Sequence, residues 1–197
     1  MAMLKTVRVK SIEKVAPAPA RNVRGYLVDG RLHDLNRQRL TDLRKRLIHG
    51  VSGERVENRS LASRDSDNLF YLWDSQTWVD AMMETKLQYG KIDGRPYYHF
   101  IVSPDPADQV SPQACLDLAA DWVEECFPNS EWHIDVHDDN ANKITHAHVI
   151  VNSVYPFDGR KIQRRKTDII REARVLQRLC SERGLNALPD MTDRFGG

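Results

Sequence analysis

The sequence predicts an α/β protein, a two-layer sandwich in which a central, mainly antiparallel sheet is flanked by helices. Three observations carry this. Strand-like segments at 4–12, 97–103, 132–136 and 144–154 interleave with segments of helical period. The last two strands are separated only by a short polar turn, Asp138 to Lys143, which is the pattern of an antiparallel hairpin. The 197 residues are 41% hydrophobic and 29% charged, a composition that buries one core at the length of one domain.

Taken in order, Leu4 to Ile12 mixes apolar and basic residues in alternation and predicts a short strand. The two prolines between Val15 and Ala20 exclude a helix interior there, and Arg21 to Val28 has room to open a short helix. Leu35, Leu40, Leu43 and Leu47 stand at helical spacing between His33 and Ile48, with Gly50 as the stop. Residues 50–67 are polar and aperiodic and predict a mobile loop. A helix is expected over Trp78 to Leu87, then a turn-rich link, then the strand Tyr97 to Ser103, closed by Pro104 and Pro106. Ser111 caps a helix with Pro112 at its first position, running to about Phe127. After the hairpin, Ile169, Ile170, Ala173, Leu176 and Leu179 mark a helix over Thr167 to Arg183 that Gly184 ends.

Several function classes drop out. No stretch approaches the roughly 18 to 20 apolar residues of a membrane span, and Met1 to Lys10 lacks the apolar segment of a signal peptide. Cys115, Cys126 and Cys180 are odd in number and form no CxxC pair, which argues against a disulfide framework or a thiolate zinc site and suits the cytoplasm. The net charge of +1 hides an uneven distribution. Residues 1–50 hold 12 Lys/Arg against 4 Asp/Glu, residues 159–197 hold 10 against 5, and the stretch between holds 7 against 19. Basic ends around an acidic centre fit a polyanion-binding surface beside a metal site, and equally fit Arg-rich solvated helices.

The histidines are more specific. In a strand at Thr145 to Asn152, His146, His148, Ile150 and Asn152 share one face, while Ala147, Val149 and Val151 form a clean apolar face opposite. His137 ends the preceding strand, and a hairpin brings that end beside His146. Three imidazoles then converge on one ion without a fourth protein ligand, which is the open coordination of a catalytic site. Asp138 or Asp139 is placed to orient an imidazole or complete the shell. Imidazole is a versatile ligand, so Mn²⁺, Zn²⁺ and Mg²⁺ all stay open from the residues alone. His99, on a central strand with apolar neighbours, is expected to be buried and hydrogen-bonded.

The run from His137-Asp138-Asp139-Asn140 to His146-Ala147-His148 and Asn152 resembles the metal motif of conjugative relaxases, the tyrosine-type HUH endonucleases that include the VirD2-like mobilisation proteins. Tyr98-His99 through Ser103-Pro104 resembles their second motif. The segment Arg174 to Leu185 resembles the helix that follows the metal motif, and Asn22 to Arg31 resembles the first motif, around the nucleophilic tyrosine. The resemblance implies an HUH-type fold and strand-specific DNA nicking and rejoining at an origin of transfer, through a 5′-phosphotyrosine link. It implies Tyr26 as nucleophile with Tyr71 as runner-up, and a divalent ion held by His137, His146 and His148. Arg24, Arg31 and Ser103 are then expected on DNA phosphates. Single-stranded origin DNA with an adjacent hairpin or duplex would be the substrate, and accessory relaxosome and coupling proteins the partners. The chain reads as one nicking domain over 1–197, from the N-terminal part of a longer protein. Two other readings stay open: a rolling-circle replication initiator, and a metal-stabilised DNA-binding module without turnover.

Overall fold

The computed structural model describes residues 3–7, 31–49, 59–71, 76–140 and 143–186 of the chain. Its elements are β1 (Met3–Val7), α1 (Arg31–His49), β2 (Ala62–Asp65), α2 (Trp78–Gln88), β3 (Tyr97–Ser103), α3 (Pro112–Cys126), β4 (Trp132–His137), β5 (His146–Asn152) and α4 (Lys166–Glu182). The strands form one sheet in the order β1-β3-β5-β4-β2, and every neighbouring pair is antiparallel. This is the α/β sandwich the sequence predicts.

Local chemistry sets the helix ends. Ser111 Oγ accepts the Ala114 N–H at 3.2 Å and Pro112 opens α3, so the first turn of that helix is satisfied before any packing. Thr77 and Asp80 cap α2 reciprocally, the Asp80 carboxylate accepting the Thr77 N–H at 3.1 Å. α4 ends at Gly184, whose φ of +66° closes the helix: Leu185 N–H reaches Cys180 O at 2.9 Å and Gly184 N–H reaches Ser181 O at 3.0 Å.

Strand alternation then sorts the residues onto two faces. Tyr98, Phe100 and Val102 of β3, Trp132, Ile134 and Val136 of β4, and Ala147, Val149 and Val151 of β5 are all buried. They form one core with Leu118, Trp122 and Val123 of α3 and Leu176 and Leu179 of α4. Burying side chains of this size stabilises by roughly 1.5–3 kcal/mol each. The other face carries Tyr97 and Ile150, which join a second cluster under α1 and α2 with Leu40, Leu43, Met82 and Met83.

Two expectations change here. The loop reading over 50–67 fails at its end, because Ala62–Asp65 is strand β2, paired to β4 from Ala62↔Val136 to Asp65↔His133. At the sheet margin none of Ala-Ser-Arg-Asp is buried, so the strand carries no apolar alternation; residues 50–58 lie outside the described ones. The sheet face opposite Ala147, Val149 and Val151, which alternation alone would leave at the surface, is covered in part by α1 and α2, which is why Tyr97 and Tyr98 are both buried, on opposite faces. The strand expected at 4–12 spans 3–7 among the described residues, and the helix expected near 21–28 lies outside them.

Candidate metal centre

Five histidines share the second sheet face. Registers set His137 opposite His146, Asp135 opposite His148, His133 opposite Ile150, and Ile101 and His99 of β3 opposite His148 and Ile150. Within this patch the ligand atoms of His137, His146 and His148 all lie within 4.8 Å of one another. Ring centroids are 5.0 Å apart for His137–His148 and His146–His148, and 6.0 Å for His137–His146. The hairpin therefore brings together the three residues picked out in the sequence.

Hydrogen bonds fix which ring atoms are free. His146 Nδ1 is 2.9 Å from the Ile144 carbonyl, an acceptor, so Nδ1 carries the proton and Nε2 keeps its lone pair. Asn140 braces that turn: its side chain accepts from Ile144 N–H at 2.9 Å, donates to Ile144 O at 2.6 Å, and its amide nitrogen lies 3.2 Å from His146 Nδ1. His148 Nδ1 meets His99 Nε2 at 2.9 Å. Burial pushes His99 down to about 4, and burial together with the neighbouring imidazoles pushes His148 down to about 2, so both rings are neutral at pH 7. His99 is thus buried and hydrogen-bonded as expected, with a metal-face histidine as its partner.

His137 is fully buried, and both of its ring nitrogens are without a hydrogen-bond partner. Orphaned buried nitrogens are costly in a finished protein interior. Three imidazoles at this spacing are a donor set that a divalent ion takes up at about 2.0–2.2 Å. The residues fit such an ion.

The carboxylates fall differently from expectation. Asp139 is ion-paired to Arg59, whose guanidinium also donates to the Leu47 carbonyl at the end of α1. Burial would raise the Asp139 carboxyl, but the Arg59 hydrogen bond and charge hold it below the usual range. Neither Asp138 nor Asp139 joins the histidine cluster. The carboxylate beside it is Asp135, 3.4 Å from His137 Nε2, a residue that the alternation His133-x-Asp135-x-His137 placed on this face all along.

The tyrosines are placed as follows. Tyr71 donates its hydroxyl to Asp65, and Asp65 also meets His133 Nδ1 at 2.7 Å. Burial first, then the Asp65 hydrogen bond and charge, raise the Tyr71 phenol further from ionisation. His133 stands four residues from His137, about 13 Å along the strand, so Tyr71 is remote from the cluster. Tyr97 is buried opposite Asn152, Tyr98 donates to Ile162 O at 2.8 Å in the other core, and Tyr89 donates to Pro156 O at 2.8 Å. Tyr155 packs against that other core. Tyr26 and Arg24 lie outside the described residues, as does the side chain of Arg31 at the start of α1. Ser103 closes β3 on the histidine face, two positions beyond Ile101, and is half-buried.

The family profile of relaxases, MobA/VirD2-like, nuclease domain, matches residues 55–185. The chain belongs to this family. Three relatives named Protein rlx, from Staphylococcus aureus, also match part of the chain. One is 30% identical over 108 residues, 54% of this chain and 33% of the relative; another is 30% identical over 105 residues, 52% and 31%; a third is 28% identical over 82 residues, 42% and 24%. The chain thus spans about a quarter to a third of the length of the relaxase relatives it matches. No solved structure matches it. The relaxase match covers α2 through α4, including the hairpin that carries the three histidines.

Proposed function

We propose that this relaxase-family domain nicks and rejoins one strand of DNA at an origin of transfer, with a tyrosine nucleophile and a divalent ion. The observation that carries the reading is the convergence of three imidazoles on a sheet face, one of them fully buried with both nitrogens unpartnered. His137, His146 and His148 would hold the ion, with Mn²⁺ or Mg²⁺ preferred and Zn²⁺ or Ni²⁺ as alternatives. When bound, it supplies a Lewis acid beside the scissile phosphate and stabilises charge on the phosphoryl oxygens.

The remaining work belongs to side chains. Tyr26 gives up its phenolic proton and attacks phosphorus through that oxygen, the bond from phosphorus to the 3′ oxygen breaks, and the 3′ oxygen takes up a proton, so none is gained or lost overall. The products are a 5′-phosphotyrosine and a free 3′-hydroxyl, so the exchange conserves the ester and is reversible without ATP. Six tyrosines occur in the chain, and the five described ones are remote from the cluster or committed to packing and hydrogen bonds, which supports Tyr26 by elimination. Its neighbours Arg21, Arg24 and Arg31 would lower a phenol pKa and bind phosphates. Ser103, on the histidine face, would contact a neighbouring phosphate oxygen.

The test is incubation with end-labelled single-stranded origin DNA and Mn²⁺ or Mg²⁺, read on a denaturing gel. Tyr26→Phe should bind the strand but give no protein-linked product, and chelation should abolish the product in the unsubstituted chain. A nucleotide recovered by mass spectrometry on another tyrosine would overturn the assignment.

A further inference from the structure

We propose that the buried carboxylate of Asp135 is the partner of His137 in this centre, accepting its Nε2–H and leaving Nδ1 for the ion; this rests on the metal-binding reading above. A histidine that gives one nitrogen to a metal carries its proton on the other, and that N–H needs an acceptor. For His146 the acceptor is the Ile144 carbonyl, and for His148 it is His99. His137 is fully buried, so bulk water does not reach it. Among the described residues one acceptor stands near its ring, Asp135 Oδ2, 3.4 Å from Nε2, while Nδ1 has none. The nitrogen facing Asp135 is therefore the protonated one. A contact of 3.4 Å is longer than a formed hydrogen bond, and a small turn of the ring as Nδ1 takes its ligand closes it.

The setting of Asp135 points the same way. Its side chain is 6% exposed, its other oxygen accepts the Ser60 hydroxyl, and the strand register sets it directly across from His148. Among the described residues no Lys or Arg pairs with it. A buried carboxylate held by one hydroxyl and one imidazole edge is costly unless a positive charge lies close by. An ion on the three histidines supplies that charge. Other carboxylates of the region are already engaged, Asp139 by Arg59 and Asp65 by Tyr71 and His133.

Two measurements on the 197-residue chain test this. In the Zn²⁺-loaded protein, long-range ¹H–¹⁵N spectra should show His137 protonated at Nε2 and metal-bound at Nδ1, with His146 and His148 metal-bound at Nε2. By titration calorimetry Asp135→Asn should bind Mn²⁺ about 10- to 100-fold more weakly than the unsubstituted chain, and Asp139→Asn within about threefold. Zn²⁺ on Nε2 of His137, or equal Mn²⁺ affinity in Asp135→Asn, would overturn the proposal while leaving the three-histidine site standing. Should Asp135→Asn fail to fold, the spectra decide alone. Failure of the unsubstituted chain to bind either ion would overturn both readings.

Discussion

His99 and His148, on adjacent central strands, share one proton between Nε2 and Nδ1 across 2.9 Å. Only one placement of that proton leaves His148 Nε2 free to bind an ion: the proton sits on His148 Nδ1, and His99 Nε2 accepts. His99 is then a positioning residue for the metal centre. His99→Phe should weaken Mn²⁺ binding about 10- to 100-fold by calorimetry, and His99→Gln, whose amide oxygen can accept the same N–H, should recover part of it. Equal affinities for the two variants would rule this role out.

The metal-free protein should lose stability in mild acid. His99 titrates at about 4 when folded and near 6.5 when unfolded, so the unfolded chain binds the extra proton. Its contribution is complete above pH 6.5 and is lost as pH falls from there through 4. The loss is on the order of 3 kcal/mol, enough to move a urea midpoint clearly. His99→Gln, which does not titrate, should make the dependence in that window shallower, leaving the share of His148, whose ring is pushed down to about 2. An unchanged slope would place the acid sensitivity elsewhere.

Under α2 lies a fully buried ammonium. Lys86 Nζ donates to Asn152 Oδ1 and to the Met82 carbonyl at 3.3 Å; Asn152 in turn donates to Glu131, which also accepts the Thr85 hydroxyl at 2.5 Å. Burial lowers the Lys86 ammonium pKa and raises that of the Glu131 carboxyl, each opposed by the other's charge. Removing one member leaves the other partners buried and short of a hydrogen bond. Lys86→Met should therefore cost about 3 kcal/mol in chemical denaturation, with Mn²⁺ affinity within twofold, because His148 lies four residues along β5 from Asn152. A stable Lys86→Met variant would show the ammonium to be dispensable.

Tyr71→Phe should keep full covalent adduct formation with origin DNA. Its hydroxyl is spent on Asp65, and it stands at the opposite end of β4 from His137. Loss of that surface hydrogen bond should change stability by less than about 1 kcal/mol. A Tyr71→Phe protein that binds DNA but forms no adduct would make Tyr71 the nucleophile.

The helices, the hairpin and the histidine cluster were legible because each has a local signature. Ser111-Pro112 announces α3, Gly184 announces the end of α4, and period-two alternation puts His146 and His148 on one face. What escaped depends on contacts distant in sequence. β2 is recognisable only from its partner Val136–His133, and Asp135, which alternation puts on the face of His137, is set across from His148 only by the strand register. The pairing of Asp139 with Arg59, eighty residues apart, has no local pattern at all. Cover by α1 and α2 on the histidine face was hidden for the same reason, since which helix packs on which face is a matter of topology.

β5 carries two of the three clustered histidines and is flanked by β3 and β4, with β1 and β2 at the margins. Fraying starts at margins, where one row of amides has no neighbour, so β1 and β2 can open while the middle of the sheet stays closed. The amides of β5 should then exchange with solvent deuterium only when the whole domain unfolds. The proposed metal centre would thus rest on the last part of the sheet to let go.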